Sequence, residues 1–228
     1  MPCILSIETS TNICSVAVSV DGTNIFTREE SEGPSHATLL GAFVKDAMDY
    51  IRNEKIKADA VAVSSGPGSY TGLRIGVSEA KGLCYGLDIP LISLNTPLIM
   101  AAKVAQSVEK NTLLCPMIDA RRMEVYAAIY DSELNIKRSI CADIVDESTY
   151  SEYLKDNKIV FFGNGAGKCR DVLSHPNASF LDEIYPLAAN MTPLAIEALK
   201  NQQFENVAYF EPFYLKEFVA TTPKNKLF

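Results

Sequence analysis

Histidine is scarce in this chain of 228 residues: only His36 and His175 are present. There is no H-E-x-x-H pattern, and two imidazoles so distant in sequence do not supply a zinc site without further donors. No segment is apolar over the length needed to span a bilayer, and Met1-Pro2-Cys3-Ile4-Leu5 carries no basic region. Neither a signal peptide nor a membrane helix is therefore expected, which points to the cytoplasm. Positive charge is in short supply too. With 21 Lys and Arg against 28 Asp and Glu, the net charge of -7 disfavours a large nucleic-acid surface of the chain's own, so any service to nucleic acid is expected through a partner. The six cysteines (Cys3, Cys14, Cys84, Cys115, Cys141 and Cys169) stand singly. That spacing predicts reduced, buried thiols, with neither a disulfide framework nor a metal cluster.

Glycine, by contrast, is concentrated. The run Ser64-Ser65-Gly66-Pro67-Gly68-Ser69-Tyr70-Thr71-Gly72-Leu73-Arg74-Ile75-Gly76 follows the apolar strand pattern Ala60–Val63 and leads into helical spacing. It reads as a strand-to-helix turn, with Ser69 or Thr71 available as the cap and Arg74 placing a charge one turn in. The glycines follow G-x-G-x-x-x-G, one residue off the dinucleotide fingerprint. The helix from Thr71 to Leu87 carries Gly72, Gly76, Gly82 and Gly86, although each interior glycine costs about 1 kcal/mol relative to alanine. Gly72, Gly76 and Ala80 fall four apart and form a bare ridge. It fits close packing on the chain's own sheet or a partner helix equally well.

The chain is organised as a repeat of pattern. Strands at Cys3–Glu8, Ile13–Val20 and Asn24–Glu29, the last two joined at Asp21-Gly22, precede a helix from His36 to about Arg52 capped by Ser35. Its apolar face is Leu40, Phe43, Val44, Ala47, Met48 and Ile51. The Ala60–Val63 strand, the glycine-rich helix, a strand near Ile89 to Leu94 and a helix with Thr96 as cap and Pro97 at its first position complete a first lobe, residues 1–110. The order then recurs over residues 111–228. Strands Leu113–Asp119, Met123–Tyr130 and Asn135–Cys141 lead to a short helix at Ser148–Leu154, strand Lys158–Phe162 and the turn Gly163–Gly167. Thr192-Pro193-Leu194 opens a helix to about Gln203 that is expected to cross back to the first lobe. The tail from Thr221 to Phe228 is polar. Two mixed sheets flanked by helices, facing across a cleft, follow from this order, with Glu8 and Asp119 ending equivalent strands and pointing into the cleft.

Gly163-Asn164-Gly165-Ala166-Gly167-Lys168-Cys169 imitates a P-loop, but its flanking glycines are one residue too close. Cys169 also stands where a magnesium-binding hydroxyl is required. Arg121-Arg122, with Glu124, is read as bridging the lobes in preference to orienting a ligand in the cleft.

This duplicated order resembles the actin, sugar-kinase and heat-shock-chaperone ATPase superfamily, a ribonuclease H-like fold. The motifs Ile7-Glu8-Thr9-Ser10-Thr11, Gly66 to Gly76, Asp119-Ala120-Arg121 with Glu124-Val125-Tyr126, and Pro212-Phe213-Tyr214-Leu215-Lys216 are similar to the TsaB (YeaZ-like) family, which serves tRNA threonylcarbamoyladenosine biosynthesis. The resemblance implies a non-catalytic activator of TsaD, the transferase that modifies the adenosine beside the anticodon, in a complex with the ATPase TsaE. It also implies a homodimer through the first lobe when TsaD is absent, and tRNA reached only through the complex. The partner surface it implies comprises Leu39, Ala42, Asp46, Gly66, Pro67, Gly68, Ser69, Thr71, Gly72, Arg74, Gly76 and Ala80. Substitution of Gly76 or Gly82 by leucine is then expected to weaken docking more than stability.

The catalytic relatives carry two histidines four apart on the first-lobe helix; here Leu40 follows His36 at that distance, so no metal and no glycoprotease chemistry is expected. The alternative is a weak ATPase or small-molecule kinase using Glu8, Thr9, Ser10, Thr11 and Asp119. Neither hairpin turn has the glycines that wrap phosphate, so ATP or ADP with magnesium is expected to bind only weakly or at the complex interface.

Overall fold

A computed structural model describes residues 1–31 and 36–216. The Ser35 cap and the Thr221–Phe228 tail lie outside the described residues. The first sheet is built from β1 (Cys3–Glu8), β2 (Cys14–Val20), β3 (Thr23–Glu30), β4 (Ala60–Gly66) and β5 (Leu91–Asn95) in the order β3-β2-β1-β4-β5. The second uses β6 (Thr112–Asp119), β7 (Glu124–Tyr130), β8 (Ile136–Ile144), β9 (Lys158–Phe162) and β10 (Ala178–Leu181), and its order, β8-β7-β6-β9-β10, repeats the first. In both, three antiparallel strands continue into two parallel ones. This is the duplicated, actin-like arrangement, and Glu8 and Asp119 do end its two equivalent first strands.

Side-chain alternation along these strands divides the core into layers. Leu5, Ile7, Val16, Val18, Val61 and Val63 face outward from the first sheet, onto α1 (His36–Asn53) and α2 (Tyr70–Leu87). Their neighbours Ile4, Ala17, Ala60, Ala62 and Ile92 face the other way, onto α5 (Thr192–Lys200) and part of α3 (Thr96–Ala105). The rest of α3 belongs to the second sheet: Met100, Ala101 and Val104 pack on Leu114, Ile118, Tyr130 and Phe162. Each lobe thus lends a helix to the space between the sheets, with α5 returning to the first. The outer face of the second sheet carries α4 (Ser151–Asp156) and a short turn of 3-10 helix at Gly167–Cys169.

Several element boundaries differ from the sequence pattern for identifiable reasons. Thr96 does not cap α3; Asn95 occupies that position, while Thr96 is the first helical residue, fully buried, with a hydroxyl unpartnered among the described residues. Asp146 accepts from the amides of Ser148 and Thr149 at 2.9 Å each, which holds that stretch as a turn and delays α4 to Ser151. β10 has no sequence signature, being four residues of alternating partial burial. Five of the cysteines are buried and the sixth, Cys141, is half-buried; all are free thiols, and burial pushes Cys3, Cys14 and Cys84 up to about 11.

Candidate functional site

The two hairpin turns at the ends of β1 and β6 face a cleft of about 610 Å³ between the lobes. They are built in opposite ways. In the first turn Glu8, Thr9, Ser10 and Thr11 are all buried, at 0, 0, 1 and 6% exposure. The expectation that Glu8 points into the cleft is therefore corrected: its carboxyl lies beneath the turn. One oxygen accepts from the Ser10 amide at 2.5 Å, and the other has no partner among the described residues. Burial lifts the Glu8 carboxyl to about 7, against the downward pull of its hydrogen bonds from Ser10.

What covers the turn is the glycine ridge. A Cβ at Gly68 would press on the carbonyl of Ser10, one at Gly72 on the carbonyl of Thr9, and one at Gly76 on the Thr9 hydroxyl. Two hydrogen bonds stitch the contact: Ser69 N donates to Ser10 O at 2.6 Å, and the Thr9 hydroxyl donates to Gly72 O at 2.8 Å. The ridge is thus spent inside the chain, and Gly66, Gly72, Gly76 and Ala80 are buried, which corrects their assignment to a partner surface as placed here. Pro67 is buried as well. Ser69 is the cap of α2, its hydroxyl accepting from Gly72 N at 3.2 Å. His36 closes the other side. Its Nε2 lies 2.6 Å from the Thr11 carbonyl, and its ring stands against the bare Cα of Gly72. His36 is therefore a bolt between α1, α2 and the first turn.

The second turn stays open. Asp119 is exposed, ion-pairs with Lys168 and accepts from the Arg121 amide at 3.1 Å, while Asn164 accepts from the Asp119 amide at 2.9 Å. The false P-loop owes its glycines to this contact, since Gly163 takes φ +102° and a Cβ at Gly165 would meet the Ile118–Asp119 backbone at 2.9 Å. Arg121 and Arg122 form the tip and do not bridge the lobes; no side-chain partner of either exists among the described residues.

The chain after α5 straps both lobes. Glu205 bridges to Leu91, Lys81 donates to the carbonyls of Ala208 (3.3 Å) and Phe210 (2.9 Å), and Phe213 N donates to Ser65 O at 2.7 Å. The Phe213 carbonyl sits where a Cβ on Gly66 would be, 2.7 Å away, and Gly66 has φ +107°. Arg74 stacks over Tyr70 at 4.1 Å and donates to the Tyr214 hydroxyl at 3.2 Å, and Lys216 pairs with Glu124 in the second lobe. The Pro212–Lys216 motif was visible in the sequence, but nothing there said that it would lie against Gly66.

Of the residues expected at a partner surface, Leu39 is half-buried and Ala42, Asp46, Ser69, Thr71 and Arg74 are exposed. Asp46 lies 3.5 Å from Arg28. Three glycines of α1 and α2 face open space: a Cβ at Gly41, Gly82 or Gly86 would meet nothing within 4 Å. Tyr85 is 88% exposed beside them. Among the described residues no group of three or more His, Cys, Asp or Glu is placed to hold a metal ion, and no helix is long and apolar enough to cross a membrane.

Duplicated sheets, with the first hairpin turn buried under the glycine ridge and the second open, define a two-lobed protein of the actin-like ATPase architecture. Residues 30–224 match the family described as TsaD: tRNA N6-adenosine threonylcarbamoyltransferase. The chain is 30% identical over 226 residues to the tRNA threonylcarbamoyladenosine biosynthesis protein TsaB of Escherichia coli, covering 95% of this chain and 96% of that one. It is 29% identical over 164 residues to TsaB of Bacillus subtilis, covering 71% and 70%. In fold it is similar to YeaZ from Pseudomonas aeruginosa, with a TM-score of 0.75 and 24% identity over 94% of this chain and all of that one. The chain belongs to the TsaB family of tRNA threonylcarbamoyladenosine biosynthesis proteins.

Proposed function

We propose that this chain is the non-catalytic partner of a TsaD threonylcarbamoyltransferase, docking through the outward side of α1 and α2. The observation that carries the reading is the filled first turn. The backbone of α2 and His36 cover the carbonyls of Thr9, Ser10 and Thr11, and the Ser10 amide is spent on the Glu8 carboxyl, so the chain keeps the architecture of a nucleotide-binding protein without its first phosphate cradle. The exposed small residues Gly41 and Ala42 of α1 and Ser78 and Gly82 of α2 support docking, because small side chains let a second helix approach closely. Activation is conformational: the partner's competent state is selected by binding this surface more tightly than its other states. The complex works in the cytoplasm with TsaE and meets tRNA as an assembly, and the same surface pairs two copies of this chain when TsaD is absent.

Gly82→Leu tests the surface. It fills open space in this chain, so TsaD affinity is expected to fall at least tenfold while the melting temperature stays within a few degrees. Equal loss of both would show that the position is structural. A weak ATPase or kinase reading keeps one supporting observation, the open Asp119 turn beside the cleft. Isothermal titration with ATP and magnesium separates the two: tight stoichiometric binding with turnover would overturn the non-catalytic reading.

A further inference from the structure

The hairpin between β6 and β7 ends in Arg121 and Arg122, both in the left-handed region at φ 72° and 47°. They open a three-residue turn closed by Ala120 N to Glu124 O, and left-handed positions favour Asn and Gly, so two arginines are held here against the preference of the backbone. Both are exposed, and neither side chain has a hydrogen bond or ion pair among the described residues. The neighbouring acids are already neutralised, Asp119 by Lys168 and Glu124 by Lys216. The tip therefore presents two uncompensated positive charges on a chain whose net charge is -7. Adjacent guanidiniums repel, and an anion that engages both relieves the repulsion.

The surroundings choose the anion. A protein interface is centred on apolar side chains, and the exposed large apolar residues of this chain include none between 118 and 126. Arg121 instead shares the cleft wall with Tyr126 and Tyr214. Guanidinium forks beside aromatic rings are the surface that an RNA strand engages through phosphates and base faces. We propose that the Arg121–Arg122 tip contacts the phosphate backbone of RNA. It is the direct contribution of this acidic chain to holding tRNA, and it rests on the reading of the chain as a member of a tRNA-modifying complex.

The test uses the chain assembled with its TsaD partner and measures tRNA affinity over a salt series. Arg121→Asn combined with Arg122→Gly suits the turn, so folding is preserved; Arg121→Lys with Arg122→Lys keeps the charge. The first variant is expected to retain partner affinity and to weaken tRNA binding about tenfold. It should also lower the slope of log affinity against log salt by about 1.4 to 1.8, as expected for two lost phosphate contacts. The lysine variant should keep the slope. Unchanged tRNA affinity and slope would overturn the proposal, and so would loss of partner association in the Asn-Gly variant, which would make the tip a protein contact. A wild-type chain that fails to assemble with TsaD is a failure of the docking reading alone. The same two variants are then compared on the isolated chain with tRNA, where an unchanged affinity again refutes the contact.

Discussion

His36 and Thr11 are joined by a 2.6 Å hydrogen bond across 25 residues of sequence, from the first residue of α1 to the last of the buried turn. A carbonyl only accepts, so Nε2 carries the hydrogen, and Nδ1 is left buried without a partner among the described residues. The imidazole is held in place by α1, α2 and the turn.

Replacing it should therefore cost stability. His36→Ala removes the bond and uncovers the Thr11 carbonyl and the Cα of Gly72, at a cost of about 1–3 kcal/mol. Urea unfolding checks this. Unchanged stability would contradict it.

The glycines of α2 should divide into two groups. Gly76→Ala gains helix propensity but pushes a methyl group into the Thr9 hydroxyl, so it is expected to destabilise. Gly82→Ala meets open space and should stabilise by up to about 1 kcal/mol. Thermal melts of the two variants decide it, and shifts of the same sign would refute the packing described. For this reason Gly76→Leu, suggested by sequence as a docking probe, reports on folding.

Glu8 predicts a pH dependence. Its folded pKa of about 7 lies above its unfolded value near 4.5, so the folded state binds the extra proton between those pH values. Stability contributed by the neutral carboxyl is complete below about pH 4.5 and declines as pH rises to about 7, by about 3 kcal/mol in all. Glu8→Gln should flatten that decline and be the more stable protein at pH 7.5. A parallel decline in both would move its origin elsewhere.

The layers of the fold were legible because β1, β4, β6 and β9 are short apolar runs recurring in the same order, as strands buried on both faces are, and successive residues there divide between two core clusters. The Asp21-Gly22 turn and the Ser69 cap were legible because local chemistry decides them. The fate of the glycine ridge was not. Four-residue spacing shows that something approaches closely, but whether it is the chain's own Thr9 or a partner's backbone depends on contacts 63 to 67 residues apart. Glu8 was misplaced for the same reason, since an acid ending a strand reads alike whether it faces a cleft or lies beneath a turn.

The central claim is that the chain activates by docking and that its cleft performs no chemistry. The direct measurement is threonylcarbamoyl transfer to tRNA by the cognate TsaD, TsaE and adenylate-forming enzyme. It is run without the chain, with the wild type, and with Asp119→Asn, which keeps the turn's acceptor but removes the exposed carboxylate of the cleft. The account predicts that transfer requires the chain and that the variant supports it at close to the wild-type rate. A folded, TsaD-binding Asp119→Asn protein that supports no transfer would contradict it.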